Sequence, residues 1–263
     1  MLSLTQFLIF ELGHECNLRH SWCPNVRPDR WYRLDTSMPL DDVVILASVR
    51  KAYRRYGFVG MVGWHFHNEP LMQADRMFGL MEQIIREVPE ARFVLWTNGL
   101  LLPDDCSRFA AFDLVHCTCY DDADEASLKA KLDSIPGFQT EKVLHVHTVP
   151  DGRLTRQSGS RHAPCRKPFV EFILDAYGNH HACCYDWQGQ ASLGNVYADG
   201  FDVLVSQWHD LQGACVGGWM HETAPLACLE CGHKEVEWSY FVPEIAERQS
   251  AFIDDVQAAG VLT

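Results

Sequence analysis

The chain has 263 residues, and with 47% hydrophobic and 11% aromatic residues it can bury a substantial core, which excludes a disordered protein. A formal net charge of -13 and a pI near 5.4 exclude the basic face that a nucleic-acid partner requires, without naming a substrate. No apolar run reaches the roughly 18 residues of a membrane span, and 11 cysteines with no secretory leader point to metal ligation in a reducing cytoplasm rather than to disulfides.

Residues 4–12 read as a first strand, and 39–56 as a helix opened by Pro39-Leu40-Asp41-Asp42 and ended by Gly57. A β-rich run follows at 58–66, then a helix at 70–88 stopped by Pro89 and a buried strand at 92–96. A short helix near 103–110, a strand at 112–118, a charged helix at 122–133 and a strand at 142–149 continue the alternation. Such a series favours parallel strands with crossover helices, too few for a closed eight-stranded barrel, so an open partial (β/α)6 barrel is expected over residues 1–150. The pattern changes at Asp151-Gly152. Strand-like runs at 168–176 and 179–184 are joined through Tyr177-Gly178 as a hairpin, with a helix near 200–209 behind them. Residues 151–263 are therefore expected to form a small second module, closed by a docking helix at about 243–258.

The cysteine loop Cys16-Asn17-Leu18-Arg19-His20-Ser21-Trp22-Cys23-Pro24 stands directly after the first strand. Taken alone, two cysteines with a histidine between them also suit a zinc half-site. Asn68-Glu69-Pro70 ends the second strand region, and Thr97-Asn98-Gly99 follows the third strand. Carboxyl ends of parallel strands are where β/α folds bind ligands, so the three segments converge on one rim. There Glu69 can accept from an ammonium group, Thr97 or Asn98 can bond a ribose, and Gly99 permits close backbone approach. Asn-Glu-Pro also reads as a plain helix start, with Asn68 as cap and Pro70 in the first turn. In the second module, Cys165, Cys183, Cys228 and Cys231 supply four thiolates, equally suited to tetrahedral zinc or a cubane [4Fe–4S] cluster.

The loop resembles the C-x3-C-x2-C cluster loop of the radical S-adenosylmethionine (radical SAM) superfamily, with His20 in the middle cysteine position. His67-Asn68-Glu69-Pro70 resembles that family's G-E-P motif, with Asn68 in place of glycine, and Thr97-Asn98-Gly99 its T-N-G segment. Cys165, Gly178, Cys183, Cys228 and Cys231 match the signature of the twitch form of the SPASM auxiliary module. Within the superfamily, size and motif order are similar to the 2-deoxy-scyllo-inosamine dehydrogenase group of aminoglycoside biosynthesis.

The resemblance implies two iron–sulfur clusters, one metal site at Cys16, His20 and Cys23 and one at Cys165, Cys183, Cys228 and Cys231. It implies S-adenosyl-L-methionine against Trp22, Asn68, Glu69, Thr97, Asn98 and Gly99. The implied activity is that of an oxidoreductase. A 5′-deoxyadenosyl radical abstracts hydrogen from a small hydroxylated metabolite, an aminocyclitol or sugar-like alcohol, and an electron passes to the auxiliary cluster. Arg156 is the implied group beside the substrate, orienting first and base second, with Asp151, His147 and His162 as alternatives. An electron donor such as flavodoxin or ferredoxin is the implied partner. Imidazole in place of thiolate leaves the first cluster less negative and a poorer reductant. His20 is thus a retuned ligand, a degenerate position or a deliberate replacement. Epimerisation, decarboxylation, C–C bond formation, peptide modification and a non-catalytic iron–sulfur or zinc relative are the other readings.

Overall fold

Strand and helix alternate because short β-branched and aromatic runs are cut by caps and glycines at regular intervals. The protein is described by a computed structural model over residues 2–20, 23, 25, 39–137, 140–146, 167–184, 191–217 and 243–258. In chain order β1 (Phe7–Phe10), α1 (Asp42–Tyr56), β2 (Met61–Gly63), α2 (Ala74–Glu87), β3 (Arg92–Thr97), β4 (Leu114–Cys119), α3 (Glu125–Ser134) and β5 (Glu141–Val146) come first. They are followed by β6 (Glu171–Leu174), β7 (Asn179–His181), β8 (Ser192–Asn195), α4 (Phe201–Gly217) and α5 (Pro243–Ala258). One mixed sheet holds all the strands in the order β5-β4-β3-β2-β1-β6-β7-β8. The first five strands and β6 are parallel, and β7 and β8 add antiparallel at the β6 side. This is the α/β fold expected, with the hairpin present at its expected place. Its first strand lies parallel to β1, so the hairpin continues the same sheet. The boundary expected near residue 150 lies outside the described residues.

Local chemistry explains the element ends. Asp41 caps α1 by accepting from the Val43 N–H at 2.7 Å, and Gly57 closes it at φ +62° with its N–H on Ala52 O. The helix expected over 70–88 opens instead with a 3-10 turn, Pro70–Gln73, before α2. The expected strand at 58–66 shrinks to Met61–Gly63, because Trp64 onward leaves the ladder to build the strand-end loop. The docking helix expected at 243–258 is α5, whose Gln249 donates to Leu4 O and Phe169 O at 2.6 and 3.0 Å.

Side-chain alternation divides the sheet into two faces. Leu8, Phe10, Val62, Trp64, Phe93, Leu95, Val115, Cys117, Cys119, Phe172 and Leu174 form one apolar cluster with the buried sides of α1 to α4. Cys106, Cys117, Cys119 and Cys215 are buried there as small apolar side chains. The opposite face carries Phe7, Ile9, Met61, Val94, Leu114 and Ile173, with Ile245 of α5 packed against them.

His180 is an exception to the outer core. Its ring stacks on Phe172 at 3.9 Å and lies 5.1 Å from Trp208, yet neither ring nitrogen has a partner among the described residues. Burial holds its pKa well below 6.5. The unfolded chain therefore binds a proton there that the native state refuses, and stability falls as pH drops below about 6.5. Replacing His180 with Phe keeps the stack and removes two unpartnered polar atoms. Urea unfolding is expected to show a gain of about 1–3 kcal/mol at pH 7 and a shallower loss of stability toward pH 5. A destabilised variant would show that the imidazole is worth more than its stacking surface.

Candidate active site

Three buried carboxylates, Glu11, Glu69 and Asp175, stand just past the carboxyl ends of strands, and Glu69 lies nearest the cysteine loop in its hydrogen bonding. It is 2% exposed. Its Oε1 accepts from the Thr97 hydroxyl at 2.7 Å and the Leu71 N–H at 3.1 Å, and its Oε2 from the Asn98 N–H at 2.8 Å. Burial pushes its pKa up, while these donors pull it down. The Glu69 N–H donates to Glu15 O at 2.9 Å, tying it to the cysteine loop. Glu69 itself caps the following turn, with Pro70 at its start. Asn68, expected as the cap, instead bends back on its own loop: its Oδ1 accepts from Phe66 N–H and its Nδ2 donates to Trp64 O.

The sequence led us to expect Thr97, Asn98 and Gly99 to face a ligand; the structure commits several of their groups internally. The Thr97 hydroxyl is held between Glu69 and the Gly99 N–H, which donates to it at 3.0 Å. Asn98 accepts from the Leu100 N–H and donates to Asn17 Oδ1 at 2.7 Å, with Cys16 Sγ at 4.0 Å. Gly99 has φ +77°, and a Cβ there would stand 2.5 Å from Cys117 Sγ and 2.7 Å from Leu128. The glycine serves close packing of the strand-end turn against β4 and α3.

Cys16 and Cys23 are half-buried in the loop after β1. Each sulfur faces a backbone N–H two residues on, Leu18 for Cys16 and Asn25 for Cys23, both at 3.4 Å. Burial raises the Cys16 pKa most, and the Leu18 and Asn98 donors oppose it. Cys23 N–H donates to His20 O at 3.0 Å, closing the loop on itself. The His20 ring leans on Tyr120 with centroids 4.5 Å apart, and partial burial lowers its pKa. Among the described residues no three His, Cys, Asp or Glu side chains surround a single ion. A cubane offers each ligand its own iron, so its ligands stand farther apart than those of one ion. Two sulfurs receiving backbone N–H groups, with an imidazole on the same loop, fit that group.

Two anchors around this loop were not anticipated. Arg76 of α2 donates to Leu12 O at 2.6 Å and Leu40 O at 2.5 Å, and pairs with Asp42 at 2.7 Å, so it clasps both ends of the segment holding the cysteines. Glu11 is fully buried and accepts from the His67 N–H and the Ala176 N–H at 3.0 and 3.1 Å, joining β1, the Glu69 loop and the hairpin. A charged residue ending the run Phe7-Leu8-Ile9-Phe10 was the available signal for Glu11. In the hairpin, Gly178 at φ +80° allows contact with Val196, and Cys183 lies half-buried just past β7. Cys184 packs against the second apolar cluster, its thiol pushed up to about 12 by burial. Trp22, Arg156, Cys165, Cys228 and Cys231 lie outside the described residues, as do His147, Asp151 and His162.

No protein-family model and no curated relative matches the chain. Solved structures do. BtrN in complex with AdoMet and 2-DOIA aligns with a TM-score of 0.60 at 15% identity, over 87% of this chain and 92% of that one. Native anSMEcpe with bound AdoMet aligns at 0.56 and 12%, over 96% and 100% of the two chains. The same protein with AdoMet and the Cp18Cys peptide aligns at 0.55 and 12%, over 98% of each. The chain shares its α/β fold, nearly end to end, with these AdoMet-bound proteins.

Proposed function

We propose that this protein is a radical SAM oxidoreductase that dehydrogenates a small hydroxylated metabolite. The observation that carries the reading is the single bonded assembly at the strand ends. Cys16 and Cys23 sit in matched N–H···S turns, Asn98 reaches the same loop, and Glu69 holds Asn98 and Thr97 in place. The motif resemblance and the likeness to AdoMet-bound folds support it. Cys16, His20 and Cys23 would hold a [4Fe–4S] cluster, and the Asn68–Glu69 and Thr97–Gly99 segments, with Trp22, would hold AdoMet. A cluster held there supplies the electron for reductive cleavage of AdoMet, the source of a hydrogen-abstracting radical. A carboxylate offers about four acceptor sites, and Glu69 uses three, so one remains for an ammonium group.

The four-cysteine set Cys165, Cys183, Cys228 and Cys231 suits a second, fully protein-ligated cluster that takes up an electron. Arg156 is the proposed orienting group for substrate, and a flavodoxin or ferredoxin the proposed donor. No described helix is long and apolar enough to cross a membrane. Peptide modification is the second reading, favoured by the fold shared with peptide-bound anSMEcpe.

Iron and sulfide analysis of anaerobically purified protein, with its ultraviolet–visible spectrum, tests the reading: about eight irons per chain are expected from two [4Fe–4S] clusters. About four irons per chain, unaffected by replacing Cys16 and Cys23 with Ala, would remove the first cluster from the account, and stoichiometric zinc would remove the second. His20→Cys adds negative charge at that cluster and should lower its potential. The driving force for AdoMet cleavage then rises by about 23 kcal/mol per volt for one electron, so 5′-deoxyadenosine should form faster under one fixed reductant. Equal rates and equal iron in His20→Cys, His20→Ala and the parent chain would mean that His20 is no ligand.

A further inference from the structure

The cysteine loop is held by polar contacts near its two cysteines and touched near its middle by a ring from beyond another strand. Asn98 donates to Asn17 Oδ1 at 2.7 Å, and the Cys23 N–H donates to His20 O at 3.0 Å. Between Asn17 and Cys23 the half-buried His20 ring lies 4.5 Å from the Tyr120 ring, with the planes 47° apart. That separation is at the close end of the range for interacting aromatic pairs. Tyr120 stands one residue past β4, and its flanks are fixed. Cys119 is fully buried, pairs with Val146 of β5 and donates its thiol to Asp121 O at 3.0 Å. Asp121 in turn accepts from the Ala123 N–H at 3.0 Å and caps the turn that leads into α3. The Tyr120 ring is therefore presented from a pinned backbone, whereas His20 ends a stretch, residues 11–20, that forms neither strand nor helix.

A histidine ligand needs such support more than a cysteine does. A thiolate is placed by a single torsion and brings a negative charge to iron. An imidazole ligand is neutral, and its second torsion is broad and roughly two-fold, so the ring must be turned as well as placed. Orienting it costs rotamer freedom, and a contact that fixes the ring beforehand removes that cost from binding. Neighbours that orient a ligand govern metal affinity by roughly 10- to 100-fold. A ring-on-ring contact restrains both torsions and takes neither nitrogen.

We propose that Tyr120 is a positioning residue that turns His20 for ligation of the first cluster, so that the two rings act as a pair where a single cysteine would otherwise serve. The proposal rests on the functional reading above, which places a cluster at Cys16, His20 and Cys23. The experiment follows iron release to a chelator from the anaerobically purified whole chain, without AdoMet. The phase that disappears in Cys16→Ala reports the first cluster. Tyr120→Leu and Tyr120→Met, which keep apolar bulk without the ring, should each speed that phase roughly 10- to 100-fold, and Tyr120→Phe should stay within about twofold. In a His20→Cys background the same Leu and Met substitutions should change it by less than about twofold, because a thiolate needs no ring to orient it. Pulsed electron paramagnetic resonance of the reduced protein, isotopically labelled at histidine nitrogen alone, should show a nitrogen coupling that Tyr120→Leu weakens and Tyr120→Phe retains. Equal acceleration in both backgrounds would make Tyr120 a packing residue only, and no acceleration in either would make the contact incidental; both results overturn the proposal. Iron release with no phase that depends on Cys16 would overturn the functional reading itself, which keeps the two failures apart.

Discussion

Replacing Asp175 with Ala is expected to destabilise the protein by about 3–5 kcal/mol, the range for breaking a buried hydrogen-bonded charge from one side. The carboxylate is fully buried at the end of β6. It accepts from the Tyr177 and Asn179 N–H groups, both at 2.9 Å, and from Asn179 Nδ2, and it lies 3.1 Å from His181 Nε2. Alanine would remove the acceptor that these groups share in a fully buried turn. It would also release the hairpin that fixes the position of Cys183. Urea unfolding should show a lower midpoint with little change in slope, and Asp175→Asn should fall between the two, since it keeps one acceptor oxygen. A loss below about 1 kcal/mol would mean that the turn reorganises to rebond its donors.

Glu69→Gln should act twice. The amide keeps one acceptor but turns N–H groups toward donors that need an acceptor, at a site 2% exposed. Losing a charged hydrogen bond there costs about 1.5–3 kcal/mol of stability. AdoMet affinity should fall by a similar free energy, roughly 10- to 100-fold, because the same carboxylate orders Thr97 and Asn98. Calorimetry settles the division of labour. Unchanged AdoMet affinity in a destabilised variant would make Glu69 a scaffold residue and take it out of the cofactor site.

The placement of the motifs could be read in advance because they lie at strand ends, and strand ends are marked locally. Asp41, Gly57 and Pro70 punctuate the chain through their own backbone chemistry, which no distant contact needs to supply. The roles of individual side chains were less accessible. Asn68 and Glu69 are adjacent and both suit a cap; that Glu69 takes the role depends on Thr97 and Asn98, about 30 residues on, being in reach. Gly99 was read as allowing close backbone approach; on the side where a Cβ would stand, that approach is made by Cys117 and Leu128.

The sequence by itself determined the order of strands and helices, the hairpin through Tyr177-Gly178 and the placement of the cysteine loop directly after an apolar strand. Hydrophobic period, caps and glycines act within a few residues, so they are written in the chain. Tertiary structure alone decided that β6 lies against β1 and that Glu11 ties the Glu69 loop to the hairpin. It alone decided that Trp96 and His116 come level on one face, with the His65 ring against Trp96. Strand pairing sets those neighbours, and the register between strands depends on contacts between residues far apart in sequence, which local patterning does not encode.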